Sequence, residues 1–211
     1  MSIQVLTMAQ PFFEIDYVEQ EESYFVEKKS IVINLSREAE DNILVNRTKI
    51  PPLHSTIVEQ TVVENIHRAL VVKDYMKYDI SDPEIQKMIT SYWKSLYQWS
   101  GREAQKGIPY HKTEKIQLTE DTAVTVCYAA AMSPSGPHKE HAVELDEVHA
   151  QIQGIGRVQM FRENDTNTLY QEYYLAPGNT HDMIFDENGV YPWHQYHSVT
   201  ASIYIPIEVR R

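Results

Sequence analysis

Residues 136 to 158 read GPHKEHAVELDEVHAQIQGIGRV, and this stretch has the most informative pattern in the chain. In its second half Glu147, His149 and Gln151 are polar. Val148, Ala150 and Ile152, which alternate with them, are aliphatic. Because side chains two residues apart share one face of a strand, this pattern predicts a strand with one polar and one aliphatic face. In a barrel the polar face lines the cavity, so we expect these three polar side chains to point inward.

Histidines are concentrated in the same part of the chain. Six of the nine lie between positions 138 and 197, with several carboxylates among them. Imidazole and carboxylate are the ligands that suit divalent iron, manganese, nickel, copper or zinc, so the concentration predicts a metal site. The alternative is an acidic, histidine-rich loop that binds only water. The six are His138, His141, His149, His181, His194 and His197.

This stretch resembles the first conserved motif of the cupin superfamily, in which a glycine and two close histidines precede a glutamate and a further glycine. The spacing between Glu147 and Gly154 matches that between the glutamate and the final glycine of the motif. The second cupin motif, a Pro-Gly turn shortly before a histidine, resembles Pro177-Gly178 followed by His181. The two histidines here are separated by two residues, where the family usually has one. The resemblance covers residues 133 to 209.

The resemblance implies a fold and a set of metal ligands. The fold is mostly β, a double-stranded β-helix (jelly-roll) barrel, preceded in this chain by an α+β extension with one or two helices. The metal would be one divalent ion, Fe(II) first, with Zn, Mn or Ni as alternatives. Glu144 could replace the glutamate ligand, and His149 could join or replace a histidine. The implied ligands are His138, His141, Glu147 and His181.

Other residues near the barrel mouth are candidates for catalysis or substrate binding. The run from Tyr191 to His197 packs histidines, tyrosines and a tryptophan into one segment, which either serves the site or simply caps the barrel. Arg157 could hold a substrate carboxylate through a bidentate pair, or it is a plain surface arginine. The catalytic candidates are His149, Tyr196 and His194, and the substrate-binding candidates are Arg157, Trp193, Tyr173 and Gln151.

Turn signals divide the chain into a barrel and an N-terminal part. From Lys112 onward, short alternating runs separated by Gly, Pro and Asn predict a barrel over 106–211. They include 115–118, 123–132, 147–152, 157–162, 169–175, 183–185 and 199–209. Pro206 indicates that the last of these lies at a sheet edge. Residues 1–105 are expected to pack on the barrel or to form a dimer interface.

The N-terminal part should contain strands and helices. Residues 12–35 alternate as strands, with the acidic cluster 19–22 as the turn between the first two. Thr56 and Glu59 have capping-box spacing, which predicts a helix over 57–71. Apolar residues at helical spacing after the start Ser81-Asp82-Pro83 predict a second helix over 82–99.

Composition excludes several classes of protein. A net charge of −11 argues against a nucleic-acid partner, which needs clustered Lys and Arg. No basic run indicates an anionic membrane, no apolar run is long enough to span a bilayer, and no signal peptide is evident, so we expect a cytoplasmic protein. The single Cys127 excludes an intramolecular disulfide and is expected to be a buried strand residue.

Two classes of function follow. The first is a metal-dependent cupin enzyme acting on a small organic acid or enol, with a non-haem Fe(II) dioxygenase placed before a non-redox lyase or isomerase. A general base at His149 or Tyr196 would favour the lyase. The second is a non-catalytic ligand-binding or sensing cupin, because fold does not determine function. The expected partners are a small-molecule substrate and a second copy of the chain in a homodimer.

Overall fold

A computed structural model describes residues 2–139 and 144–211 of the chain. Its first half forms one antiparallel sheet with the strand order β1-β2-β7-β3-β6, in which β4 also pairs with β7 and with β5. The strands are β1 (Ser2–Leu6), β2 (Glu14–Val26), β3 (Ser30–Asn34), β4 (Ile43–Val45), β5 (Thr48–Ile50), β6 (Ser55–Val58) and β7 (Thr61–Lys73).

The second half forms two further antiparallel sheets. The larger has the order β10-β11-β17-β12-β9-β8, with β13 paired to β17, and the smaller has the order β15-β14-β16. The strands are β8 (Lys94–Ser95), β9 (Tyr110–Lys112), β10 (Ile116–Gln117), β11 (Thr122–Val124), β12 (Cys127–Ala129), β13 (Leu145–Gln153), β14 (Gly156–Phe161), β15 (Leu169–Leu175), β16 (Trp193–Ser198) and β17 (Ser202–Arg210). The expectation of a mostly β protein with antiparallel sheets is confirmed.

The predicted helix over 57–71 is wrong, because these residues lie in β6 and β7. Valine, isoleucine and threonine recur along β7, and such β-branched side chains favour strands. The predicted turn at 19–22 is also wrong, since β2 continues through it as a single strand. Gln20 has a φ of 56° there, and it is unpaired, as is His67 opposite it on β7, but the register is the same on both sides, so the acidic cluster lies within one continuous strand.

The helix expected over 82–99 is shorter than predicted. It is α1 (Pro83–Tyr92), and Asp82 caps it by accepting a hydrogen bond from the backbone N–H of Glu84 at 2.8 Å. The chain leaves the helix at Trp93, whose indole packs edge-on against Phe12 with ring centroids 5.6 Å apart. Burial of this large aromatic side chain outweighs continued helical hydrogen bonding. The next residues form β8 and a short 3₁₀ turn, Leu96–Gln98.

One hydrophobic core joins the two halves of the chain. Val148, Ala150 and Ile152 on β13 and the apolar residues of β17 pack against Ile15, Ile33 and other residues of the N-terminal sheet. A second core fills the space between the two C-terminal sheets and includes tyrosines on β9, β16 and β17. Complete burial of one aliphatic side chain contributes roughly 1.5–3 kcal/mol, so the joint between the halves is a principal source of stability.

Three smaller expectations differ from the structure. Pro206 lies in the interior of the sheet, because β17 pairs with β11 and β12 on one side and with β13 on the other. Residues 183–185 form no strand, whereas the aromatic run before His197 contains β16. Among the described residues, no helix is both long and apolar enough to cross a lipid bilayer.

Candidate metal centre

Strand β13 carries the polar face that the sequence predicts. Glu147 lies opposite Glu208 on β17, His149 lies opposite Pro206, and Gln151 lies opposite Tyr204. The intervening aliphatic side chains enter the core shared with the N-terminal sheet. The three polar residues therefore face the space between the two C-terminal sheets, where Glu147 is only 8% exposed.

A backbone bridge brings two distant histidines together. His138 pairs with His194 of β16 in an isolated antiparallel bridge, in which each backbone N–H donates to the other's carbonyl at 2.9 Å. Their ring centroids lie 4.3 Å apart. The two imidazoles therefore enter the site side by side from the sheet that faces β13.

Glu147 is the centre of the resulting cluster. One ligand atom from each of His138, Glu147 and His194 lies within 4.8 Å of the others. The Oε2 atom of Glu147 is 3.4 Å from Nε2 of His194 and 3.6 Å from Nε2 of His149. A carboxylate and three imidazoles thus meet in the barrel interior.

Backbone carbonyls set the tautomers of the two bridged histidines. Nδ1–H of His138 donates to the carbonyl of Gly136, and Nδ1–H of His194 donates to the carbonyl of Pro192, each at 3.1 Å. Because a carbonyl oxygen can only accept, the proton of the neutral ring is on Nδ1 and the lone pair is on Nε2. This is the usual orientation of a metal-binding imidazole.

His181 sets the tautomer of His149 in the same way. Nδ1–H of His181 donates to the carbonyl of Asp182 at 2.6 Å, which leaves its Nε2 as an acceptor. That nitrogen accepts from the backbone N–H of His149 and faces Nδ1 of the same residue, both at 3.0 Å. Nδ1 of His149 is therefore the donor, and its Nε2 lone pair faces Glu147.

The donor set fits a divalent metal ion. Nitrogens of His138 and His194 meet the Glu147 carboxylate, which His149 also contacts, and a cation between them would stabilise this arrangement. Such a set suits Fe(II), Mn, Ni or Zn. His181, one of the four ligands implied by the sequence, here contacts His149, whereas His194 joins the cluster. His141, another of the four, lies outside the described residues.

The buried imidazoles stay neutral over a wide pH range. Burial lowers the pKa of His138 and of His149 to about 3, and that of His181 to about 4. Burial alone would raise the pKa of Glu147, but its interactions with His149 and His194 outweigh burial and hold that pKa well below its usual range. The site is therefore ready to bind a cation at neutral pH.

These shifts predict that the metal-free protein loses stability in mild acid. The pKa values of His138, His149 and His181 lie below the unfolded value of about 6.5, so below that pH the unfolded chain binds more protons. The free energy of unfolding should fall as the pH drops from 6.5 towards 4, by ~1.4 kcal/mol per pH unit for each histidine that stays neutral. Urea unfolding with a chelator, at pH 7 and pH 5.5, measures this.

A variant of the cluster provides the control for that measurement. His149 is only 3% exposed, so His149→Gln removes one buried imidazole and should reduce the pH dependence. An unfolding midpoint that is the same at both pH values in the wild type would contradict neutral, buried histidines.

Three other candidates lie around the cluster as supporting groups. Tyr196 donates its hydroxyl hydrogen to Oε1 of Gln151 at 2.8 Å and stacks on Tyr204 with ring centroids 3.7 Å apart. Tyr173 stacks on His181, with ring centroids 5.9 Å apart. These side chains face the barrel interior, but their polar atoms contact protein groups.

Two of the substrate-binding candidates lie away from the cluster. Arg157 is on the outward face of β14, where its guanidinium is 3.3 Å from the carboxylate of Glu172. Trp193 neighbours His194 on β16 and, by strand alternation, points to the opposite face. The structure does not bring either side chain to the cluster.

The cluster borders a small cavity of about 90 Å³ that sequence reasoning did not describe. Arg102 and Lys112 line it together with Tyr110, Cys127 and Tyr204. The alternation of Tyr110 and Lys112 on β9 is a strand signal, but it does not say which interior they face. A larger cavity of about 520 Å³ lies beside the N-terminal sheet, and no histidine is among the described residues that line it.

Comparison with known proteins gives similarity at the level of solved structures. No protein-family model matches the chain, and no curated protein matches it significantly. A cupin superfamily protein from Desulfitobacterium hafniense is 11% identical, with 48% of this chain and 78% of that chain covered and a TM-score of 0.36. KdgF from Halomonas sp. is 16% identical, with coverages of 48% and 79% and a TM-score of 0.36. An oxalate oxidase is 14% identical, with coverages of 56% and 59% and a TM-score of 0.37.

Such identities and TM-scores say nothing of activity, and the chain's own strand pairing and inward-facing donors define its fold. Two antiparallel sheets face each other, and one strand of the larger sheet presents the carboxylate and an imidazole to the histidines of the other. The C-terminal half of this chain therefore consists of two facing antiparallel sheets with the donor cluster between them.

Proposed function

We propose that the protein is a metal-dependent enzyme of the cupin type that acts on a small organic acid or enol as a non-haem Fe(II) dioxygenase. The observation that carries this proposal is the cluster of Glu147 with His138 and His194, with Nε2 of His149 3.6 Å from the same carboxylate, beside a small internal cavity. A site built of three imidazoles and one carboxylate leaves coordination positions open for other ligands.

The chain's own residues would hold and orient the metal. His138, His149, His194 and Glu147 would be its ligands, and the carbonyls of Gly136 and Pro192 would fix two of the imidazoles. When bound, the metal would supply a Lewis-acid or redox centre to a substrate in the cavity. His181 would orient His149 from behind. Burial of His194, which is 0% exposed, would keep bulk water away from that side of the site.

Proton transfer by the two expected bases has little geometric support, which favours oxygen chemistry. Nδ1 of His149 contacts His181 while its Nε2 faces Glu147, and the Tyr196 hydroxyl donates to Gln151. A second candidate, a non-redox lyase or isomerase, is supported by one observation: the hydroxyls of Tyr110 and Tyr204 contact each other at the cavity wall. Such a pair could donate or accept a proton.

Metal analysis followed by oxygen uptake tests the proposal. The full chain is loaded anaerobically with ferrous iron, and about one iron per chain should be retained. Small organic acids are then supplied in air, and oxygen consumption that matches substrate loss is the expected result. Substrate conversion without oxygen consumption would establish the lyase or isomerase, and Tyr204→Phe should then abolish it. No retained metal under any loading would contradict both and leave a ligand-binding barrel.

The homodimer remains a prediction. Cupins frequently pair through N-terminal strands, and β1 lies at the edge of its sheet with most of its residues exposed.

A further inference from the structure

A row of inward-facing side chains crosses the larger C-terminal sheet. Lys112 on β9 pairs with Cys127 on β12, Cys127 pairs with Tyr204 on β17, and Tyr204 pairs with Gln151 on β13. Directly paired residues point to the same face of a sheet. Lys112 therefore extends into the interior that the metal cluster occupies, and it lines the same cavity as Glu147 and His149.

Lys112 and Arg102 are the two basic side chains of this cavity. Neither has a carboxylate partner within 4.0 Å among residues 2–139 and 144–211, whereas the nearby residues Lys94 and Lys115 each have one. Lys94, the partner of Lys112 across β8 and β9, pairs with Glu114 at 3.0 Å. Glu208, a carboxylate of the cavity wall, pairs with Lys115 at 2.5 Å. Lys112 and Arg102 thus bring positive charge to the cavity.

Packing holds the Lys112 ammonium in place. Its Nζ atom lies 4.4 Å from the centroid of the Trp99 ring, within the range of a cation–π contact. Burial lowers the pKa of Lys112 below its usual range, and the charge of Arg102 acts in the same direction. Two neighbouring cations that are partly removed from water favour the binding of an anion.

We propose that Lys112 and Arg102 bind a carboxylate of the substrate, so that the substrate is a small organic acid with a second acidic group remote from the metal. This rests on the proposed function, which supplies the metal at the part of the cavity lined by His138, Glu147 and His149. The volume of about 90 Å³ lies well below the ~300–1,000 Å³ of pockets for drug-sized ligands, which restricts the substrate to a short chain. The basic residue that recognises the acid is then not Arg157.

Titration of two matched probes tests the proposal. Succinate and butyrate have the same chain length and differ in one carboxylate, and Mn²⁺ serves as the metal probe under anaerobic conditions. Isothermal titration of the full chain, with and without Mn²⁺, should show succinate binding about tenfold or more tightly than butyrate. Lys112→Met and Arg102→Met should each bring the two affinities close together without changing the affinity for Mn²⁺.

Two further variants serve as controls. Lys94→Met removes a charge that also lies over Trp99, at 5.2 Å, but outside the cavity, so it should keep the preference for succinate. Lys112→Arg keeps the charge and should retain most of the preference. Thermal unfolding of each variant shows that the barrel is intact.

Each remaining outcome separates this inference from the proposed function. Mn²⁺ binding without a preference for succinate in the wild type, or with a preference that survives in both Met variants, would overturn the inference alone. Inorganic phosphate that binds as tightly as succinate would overturn the assignment to a carboxylate. Failure to bind Mn²⁺ would contradict the metal site alone. The inference would then be tested by the titration without metal, in which the wild type should prefer succinate and Lys112→Met should lose that preference.

Discussion

Replacing Glu147 with glutamine is expected to lower the affinity for a divalent metal by more than ~100-fold, because even partners outside the ligand set typically contribute ~10–100-fold. Glu147 is the one carboxylate in the described cluster, and the change removes its charge while keeping its shape. The metal-free variant should be less stable than the wild type at neutral pH, because the folded state holds the pKa of Glu147 low and so favours its ionised form, which glutamine does not supply. Isothermal titration with Mn²⁺ and urea unfolding with a chelator measure the two effects.

Two further variants make this result specific. Glu144→Gln changes an exposed carboxylate three residues earlier, and it should bind metal like the wild type. His181→Asn should weaken binding by ~10–100-fold, because His181 acts by orienting His149. Loss of metal in Glu144→Gln with retention in Glu147→Gln would show that Glu144 is the carboxylate ligand.

Replacing Gly154 with alanine should destabilise the protein by ~3 kcal/mol or more. Gly154 turns the chain from β13 into β14 with a φ of +73°, where a side chain costs ~1–2 kcal/mol. A Cβ atom there would also overlap the backbone carbonyl oxygen of Ala201, which cannot rotate away, and such overpacking adds ~1–3 kcal/mol. Urea unfolding of the purified variant, or its loss from the soluble fraction, is the measurement.

Gly189 separates the two costs. Its φ is +72°, and a Cβ atom there would meet no heavy atom within 4 Å. Gly189→Ala should therefore cost only the backbone term, ~1–2 kcal/mol. Equal destabilisation by the two variants would show that contact with Ala201 is unimportant.

The strand pattern of the barrel was predictable because local alternation and burial agree there. Glu147, His149 and Gln151 alternate with aliphatic residues. In the fold the polar side chains face the interior between the two C-terminal sheets, and the aliphatic side chains enter the hydrophobic core. The N-terminal half was harder. Thr56 and Glu59 have the spacing of a helix start, yet pairing of β7 with both β2 and β3 makes the following residues a strand. Capping spacing is a weak signal against such long-range pairing.

The ligand cluster was predictable in composition but not in membership. His138 and Glu147 are close in sequence, whereas His194 reaches them through a backbone bridge that joins two distant segments. A motif along the chain cannot show such a bridge. The resemblance therefore implies His181, which follows the Pro-Gly turn, as a ligand. For the same reason the sequence does not identify Lys112 and Arg102 as residues of the cavity, because only the tertiary fold brings them there.

The two faces of β13 tie the architecture of the chain to its chemistry in a way that limits how the sequence can evolve. One face carries Glu147 and His149, and the other carries the aliphatic side chains that join the two halves. Inserting or deleting one residue would exchange the faces, so that imidazole and carboxylate would enter the core while aliphatic groups replaced the ligands. Insertions or deletions in this strand are therefore tolerated only in pairs of residues. The donor cluster and the hydrophobic core between the two halves of the chain must consequently evolve together.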